Sequence, residues 1–155
     1  MNGAAGGGVR RFEHVGVIVD DLEAVTAFFA DLGFEVAAPM RIEDDWVERI
    51  LGLEGVRLEM VMVNAPDGSG KLELTKFHHP VDPATDSADA QAPAVNRLGF
   101  RHIAYIVENL DSTIERIRAK GLDTIGEIVN YENIFRMCYV RGPEGLIVEL
   151  AEESN

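Results

Sequence analysis

Two histidines and two glutamates stand at matching places in two similar stretches of the chain. His14 is the third residue of FEHVGVIV (residues 12–19), and His102 is the third residue of FRHIAYIV (residues 100–107). Glu73 lies between two leucines, and Glu149 lies between a valine and a leucine. Because a carboxylate inside an apolar strand is costly unless it is paired or coordinated, the sequence predicts that these four side chains hold a metal ion.

The donor set suits a divalent transition metal. Two neutral imidazoles and two carboxylates balance a divalent cation, and mixed nitrogen and oxygen donors favour Zn, Ni, Co, Mn or Fe over Ca. The predicted metal ligands are therefore His14, Glu73, His102 and Glu149. A structural alternative exists: the histidines are hydrogen-bonded core residues, and Glu73 pairs with Lys71 on a solvent-facing side of its strand.

The histidine-bearing stretches belong to a longer internal repeat. The offset is 102 − 14 = 88, and it continues through the segment that follows each stretch, where Leu22 matches Leu110 and Gly33 matches Gly121. A repeat of this length indicates two copies of one supersecondary unit. We therefore expect the two copies to bring equivalent side chains to equivalent places.

Hydrophobic periodicity predicts the order β-α-β-β-β in each copy. In the first copy a strand at residues 12–19 precedes a helix that Asp20 or Asp21 caps and Gly33 ends. Residues 41–53 are ambiguous, being acidic with few apolar anchors. The remaining predicted strands cover residues 34–37, 57–64 and 71–77 in the first copy, and residues 100–107, 123–128, 134–141 and 146–151 in the second.

These elements predict an α+β fold, in which two βαβββ modules form a cupped mixed sheet around a metal site. Residues 1–9 are rich in glycine and alanine and are expected to be a flexible leader. The first module covers residues 10–79 and the second covers residues 98–153. Between them, residues 80–97 contain Pro80, Pro83 and Pro93 without an apolar period, so they are interpreted as a linker.

Charge and composition exclude several classes of function. The formal net charge of −13 argues against nucleic-acid binding, which needs a basic surface, and favours a neutral or weakly charged small ligand. No run approaches the roughly 18 apolar residues of a membrane span. Cys138 is the only cysteine, so no internal disulfide forms, which fits a cytoplasmic protein.

The sequence resembles the vicinal oxygen chelate superfamily, which includes glyoxalase I, methylmalonyl-CoA epimerase, extradiol dioxygenases and bleomycin-type resistance proteins. In that family a histidine begins each module and a glutamate ends it. His14 and Glu73 match the first pair, and His102 and Glu149 match the second. The turn Gly-Pro-Glu-Gly at residues 142–145 also resembles the family pattern at this place.

The resemblance to glyoxalase I and the epimerases implies a lyase or isomerase that moves a proton next to a carbonyl. The metal would bind the substrate oxygen and stabilise an enediolate, and one ligand glutamate, by position Glu149, would act as the base. The family leaves two alternatives. One is a resistance-type protein that sequesters an antibiotic or aromatic metabolite, and the other is an extradiol dioxygenase.

Further residues are candidates for the substrate pocket. Phe77 shares strand parity with Glu73, and Tyr131 and Arg136 lie in or before the third strand of the second copy, where they would orient a substrate. Trp46 is included, although an aromatic residue of this kind is more often core. His78 and His79 resemble a metal-binding tract, but a loop is the favoured interpretation. We expect a homodimer, because curved open sheets leave edges to cover, and the modules pair either within a chain or across the dimer.

Overall fold

The computed structural model describes residues 11–87 and 91–154, so the predicted leader at residues 1–9 lies outside the described residues. The chain divides into two compact units, Met1–Pro80 and Val81–Asn155. Each unit has its own mixed sheet, with one parallel and otherwise antiparallel strand pairs. This confirms the predicted α+β fold class. Among the described residues, no helix combines the length and apolar character that crossing a membrane requires.

The first unit contains a five-stranded sheet in the order β1-β5-β4-β2, with β3 also paired to β4. β1 runs parallel to β5, and the other neighbours are antiparallel. Its elements are β1 (Val15–Ile18), α1 (Leu22–Asp31), β2 (Glu35–Val36), β3 (Met40–Ile42), α2 (Asp45–Leu51), β4 (Arg57–Asn64) and β5 (Lys71–His79).

Helix α1 forms as the sequence predicts. The Asp21 carboxylate caps it by accepting the backbone N–H of Ala24 at 2.9 Å. Gly33 follows the last turn with φ of +103°, a conformation that glycine adopts without a Cβ penalty. The buried residues of the helix pack on β4 and β5, where the inward side chains alternate along each strand. His14 and Glu73 lie on the other face of this sheet.

The ambiguous segment of the first copy forms β3 and α2. His14 and Glu73 are 59 positions apart and His102 and Glu149 are 47 apart, so the first copy carries 12 more residues between its histidine and its glutamate. The inserted elements have their own small core of buried apolar residues, with two partly buried side chains against it. These residues are Ile42, Val47, Val56, Leu58, Met60 and Phe77. Trp46, a candidate for the substrate pocket, is 49% exposed and lies outside this core.

His78 and His79 belong to a strand. The loop interpretation is wrong because β4 and β5 stay paired as far as Arg57 and His79. The Nδ1 atom of His79 lies 2.8 Å from the carbonyl oxygen of Gly55, and His78 Nε2 lies 3.4 Å from a carboxylate oxygen of Glu59. Both histidines therefore have partners at the end of the hairpin.

The second unit contains a four-stranded sheet in the order β6-β9-β8-β7, with β6 parallel to β9. Asn109 caps α3 through Ser112, and Gly121 follows the helix with φ of +81°. The predicted strand at residues 123–128 extends to Tyr131 through an irregularity in the register. The elements are β6 (His102–Ile106), α3 (Leu110–Ala119), β7 (Asp123–Tyr131), β8 (Phe135–Arg141), a 3₁₀ turn (Pro143–Gly145) and β9 (Ile147–Glu153).

Part of the predicted linker packs against the turn that precedes β9. The Arg141 guanidinium donates to the carbonyl oxygen of Pro93 at 2.8 Å and to that of Gly145 at 3.3 Å. The backbone of Gln91 passes close to the Cα of Gly145. The segment before β6 is therefore fixed to the hairpin that carries Glu149.

Candidate metal centre

The first histidine–glutamate pair lies across the parallel strands β1 and β5. Gly16 is the register partner of Glu73, and His14 precedes Gly16 by two residues, so all three share one face of the sheet. His14 Nε2 and Glu73 Oε2 are 3.4 Å apart, and both side chains are partly exposed. Lys71 instead pairs with Glu13 at 2.6 Å, and this contact lowers the pKa of the Glu13 carboxyl. The first unit therefore brings His14 and Glu73 together.

The second unit repeats this arrangement across β6 and β9. Ala104 is the register partner of Glu149, and His102 precedes Ala104 by two residues. His102 Nε2 and Glu149 Oε2 are again 3.4 Å apart, and both side chains are again partly exposed. Two units of different length thus build the same pair with the same spacing.

The spacing fits two donors of one metal ion. A charge-assisted hydrogen bond between imidazole and carboxylate is usually shorter, about 2.7–2.9 Å. Two donor atoms bound about 2.1 Å from a common ion lie about 3.0–3.4 Å apart, depending on whether its coordination is octahedral or tetrahedral. Each pair offers one imidazole nitrogen and one carboxylate oxygen, which suits a borderline divalent ion. His14, Glu73, His102 and Glu149 are therefore chemically fitted to such an ion.

Each unit by itself supplies only half of a ligand set. Within residues 11–87 and 91–154, no group of three or more His, Cys, Asp or Glu side chains is gathered closely enough to hold a metal. Structural metal sites in proteins use about four ligands. Each unit shows one imidazole and one carboxylate side by side.

The structure adds Tyr139, which the sequence analysis did not select. Tyr139 on β8 lies directly opposite Glu149 on β9, so the two side chains share one face of the sheet. Its ring meets the His102 ring edge to face, with centroids 5.1 Å apart and planes at 90°. Partial burial and the nearby Glu149 charge raise the pKa of Tyr139. The turn at residues 142–145 is the sequence signal for this pairing. Arg141 and Ile147 flank the turn as register partners, and Tyr139 and Glu149 each lie two residues further from it.

The candidate pocket residues differ in placement. Phe77 shares the Glu73 face and packs partly buried against the α2 core. Tyr131 pairs with Phe135 on the same side of its sheet as Glu149 and is 50% exposed. Trp46 lies on α2, half exposed.

Arg136 is directed to the opposite side of its sheet. It alternates with Tyr139 along β8 and so lies on the α3 face, where it forms a two-pronged ion pair with Asp111 at 2.8 and 3.1 Å. This guanidinium holds the pKa of the Asp111 carboxyl below its usual value. The structure therefore does not bring Arg136 to Glu149.

Comparison with known families assigns the chain to one family over most of its length. Residues 13–139 match the model of the Glyoxalase/Bleomycin resistance protein/Dioxygenase superfamily. The chain belongs to this superfamily. The matched range includes His14, Glu73, His102 and Tyr139, and Glu149 lies beyond its end.

Similar proteins cover between 94% and 99% of this chain. A glyoxalase family protein from Bacillus cereus is 33% identical, with a TM-score of 0.91 over 99% of this chain and 100% of that one. The uncharacterised protein YwkD of Bacillus subtilis is 26% identical over 94% of this chain and 98% of its own length. The fosfomycin resistance protein FosX of Listeria monocytogenes has the same fold, with 19% identity and a TM-score of 0.58 over 95% of this chain and 94% of FosX.

Proposed function

We propose that this protein is a divalent-metal-dependent lyase or isomerase of the glyoxalase or epimerase type, which moves a proton next to a carbonyl of a small substrate. The observation that supports this most is the equivalence of the two pairs. His14–Glu73 and His102–Glu149 have the same 3.4 Å spacing on the corresponding strands of two units. Both pairs keep an imidazole beside a carboxylate, which is the donor combination that the proposed ion requires.

His14, Glu73, His102 and Glu149 would together hold one Zn, Ni, Co, Mn or Fe ion, either within one chain or across a homodimer. When bound, the ion supplies Lewis-acid polarisation of a substrate oxygen. The four donors would leave room for substrate, since divalent ions of this class accept up to six ligands. The homodimer and the cytoplasmic location stay predictions.

Glu149 is the proposed base. Its side chain is 19% exposed, which is open enough for a small ligand to reach and closed enough to limit competing water. A carboxylate within about 2.6–3.2 Å of a substrate C–H or O–H accepts the proton on one oxygen and returns it to the neighbouring carbon or oxygen. His102 Nε2 lies 3.4 Å from this carboxylate, and Tyr139 stands opposite it on β8.

The substrate is expected to be small and neutral or weakly charged. The net charge of −13 disfavours polyanionic ligands at long range. Apolar side chains share the faces that carry the pairs. Ile18 lies four residues after His14 and Ile106 lies four residues after His102, so each isoleucine points to the same side as its histidine. The two isoleucines are 66% and 59% exposed. An apolar portion of the substrate would contact these isoleucines.

The same exposed isoleucines support the second candidate, a protein that sequesters an antibiotic or aromatic metabolite. FosX, which has the same fold, is named a fosfomycin resistance protein. Sequestration would not require a base, so ligand binding would survive chelation and Glu149→Gln. Ligand binding that disappears with the metal would instead support the enzyme. Ring cleavage of catechols is the least favoured function, and oxygen uptake with catechols is expected to be absent.

The proposal is tested with metal-loaded protein. α-Keto hemithioacetals and epimerisable acids are assayed for turnover and for exchange of the substrate α-hydrogen with deuterium from solvent. We expect exchange with the wild type and a loss of at least about 100-fold in Glu149→Gln. Glu115→Gln, an exposed glutamate on α3, is the matched control and should retain full exchange. Absence of turnover and exchange with every substrate in metal-loaded protein would overturn the proposal.

A further inference from the structure

The strands of the second sheet place one permanent cation on the face that holds His102 and Glu149. Strands β6, β7, β8 and β9 contain two arginines and no lysine. Both arginines are on β8, five positions apart (141 − 136), so they point to opposite faces of the sheet. Arg136 lies on the α3 face, where Asp111 pairs with it. Arg141 therefore lies on the face of the histidine–glutamate pair.

Strand register places Arg141 in the same row as His102. Ile147 on β9 is the register partner of His102 on β6 and also of Arg141 on β8. Glu149 lies two residues further along β9, on the same face. Successive rows of one face are about 6.8 Å apart, because each strand residue advances about 3.4 Å. Arg141 therefore borders the proposed centre from the end of the sheet that carries the turn at residues 142–145.

The Arg141 guanidinium is anchored but not neutralised. Its Nη1 atom donates to the carbonyl oxygens of Pro93 at 2.8 Å and Gly145 at 3.3 Å. Asp123, its register partner on β7, pairs with Arg118 instead, at 2.8 Å. Within the part of the chain that the structure describes, no carboxylate pairs with Arg141, and its Nε and Nη2 atoms have no hydrogen-bond partner. Two adjacent guanidinium nitrogens of this kind form the fork that binds a carboxylate at two points.

The opposite end of the same face is apolar. The two rows beyond Glu149, toward the β7–β8 turn, hold six apolar or aromatic side chains and one charged side chain, that of Glu153. The six are Ile106, Ala151, Met137, Val129, Phe135 and Tyr131. Ile106, Val129 and Tyr131 are 59%, 52% and 50% exposed, so a ligand can reach them. The Glu153 carboxylate disfavours an anion at this end, whereas Arg141 favours one at the other.

We propose that this face binds an organic acid, with its carboxylate on the Arg141 guanidinium and its apolar or aromatic part against the rows next to the β7–β8 turn. Glu149, the proposed base, lies in the row between these two ends. This inference rests on the proposed function and deepens it, because it names the substrate class of the same site. A single carboxylate agrees with a weakly charged ligand, and Arg141 offsets locally the repulsion that a net charge of −13 exerts on an anion.

The test measures the binding of 3-phenylpropionate and of its neutral amide, 3-phenylpropanamide, to the full-length protein by calorimetry. The two probes share the ring and differ in charge, so the amide reports the apolar contacts alone. The wild type is expected to bind the acid about 10- to 100-fold more tightly than the amide, since a two-point bond between charged groups is stronger than a neutral one. Equal affinities, a preference for the amide, or no binding of the acid would overturn the inference.

A chelator separates the arginine from the proposed ion. The preference for the acid should be the same with and without chelator, because it arises at Arg141. A preference that disappears with the metal would assign the carboxylate to the ion and overturn the role of Arg141.

Variants locate the carboxylate on the sheet. Arg141→Gln should abolish the preference for the acid and leave the affinity for the amide unchanged, whereas a merely structural loss would weaken both probes. Arg136→Gln, which changes the arginine on the other face of β8, is the matched control and should keep the preference. If Arg141→Gln does not fold, Arg141→Lys keeps the charge without the fork and should reduce the preference at unchanged amide affinity.

The outcomes separate this inference from the proposed function. A preference for the acid that survives unchanged in the Arg141 variants would overturn the inference and leave metal-dependent proton transfer standing. A wild type that shows the preference but holds no metal and turns over no substrate would overturn the proposed function and leave the acid-binding face.

Discussion

Gly145 faces the backbone of Gln91 so closely that a Cβ at Gly145 would clash with the Gln91 carbonyl oxygen. Gly145 also has φ of +73°, a conformation that favours glycine. It lies in the turn that leads into β9 and Glu149. The glycine is therefore required both by the turn and by the segment packed against it.

Gly145→Ala is expected to destabilise the protein more than Gly126→Ala. Gly126 has a similar φ of +69° but open space around its Cα, so its variant reports the backbone penalty alone, about 1 kcal/mol. The clash with Gln91 adds to this penalty in Gly145→Ala. Urea denaturation of both variants measures the difference. Equal losses would mean that the contact between the turn and residue 91 has no energetic role.

The Arg136–Asp111 pair predicts a pH-dependent stability. The guanidinium lowers the pKa of Asp111, so the pair stabilises the fold above the ordinary carboxyl pKa and loses this effect as the pH falls through the lowered value. Asp111→Asn should lower Tm by less than about 4 °C at pH 7, since exposed ion pairs contribute little. The Tm difference from wild type should vanish in acid, below the lowered pKa. A difference that persists unchanged there would contradict the assignment.

The leucines next to the two glutamates are expected to carry much of the stability of their units. Leu74 and Leu150 are 0% and 1% exposed. Replacing either with alanine should cost roughly 2–5 kcal/mol, since it removes buried methylene groups and leaves a cavity. Ile50→Ala is the control, because Ile50 is 73% exposed and its loss should cost less than about 0.5 kcal/mol. Chemical denaturation of the three variants provides the comparison.

Thr75→Val is expected to weaken metal binding only slightly. Thr75 is 3% exposed, and its hydroxyl reaches Glu73 at 3.4 Å, too long for a strong hydrogen bond. The expected change in Co²⁺ dissociation constant is below about 10-fold, the lower limit for a well-formed supporting contact. Calorimetric titration of this variant and of the wild type measures the change. A larger effect would mean that the Thr75 hydroxyl is a strong support of Glu73.

Local patterns predicted the repeated part of the fold. The apolar positions of α1, its Asp21 cap and Gly33 are all contained in one short segment. The alternation in β4 predicted that strand with its correct bounds. Equivalent histidines and glutamates were predicted to bind one metal, and the structure places one histidine beside one glutamate in each unit. These features depend on neighbours in sequence or on a pattern that occurs twice.

The sequence did not predict the features that depend on distant contacts. α2 has seven residues, and a helix this short is stable only through tertiary packing, here of Val47 against the sheet residues Leu58 and Phe77. The Tyr139–Glu149 contact depends on the register of β8 and β9, which shifts every facing residue if it changes by one. The prediction that Arg136 orients a substrate failed because the sequence analysis did not establish which face of β8 carries this side chain.

The central claim is that His14, Glu73, His102 and Glu149 form one metal centre. Elemental analysis of purified protein, after equilibration with Zn, Ni, Co, Mn or Fe and removal of excess ion, tests it directly. Roughly one ion per chain is expected in the wild type and in Glu115→Gln, with loss in His14→Ala, Glu73→Gln, His102→Ala and Glu149→Gln. A wild type without stoichiometric metal, or metal retained in all four variants, would contradict the account.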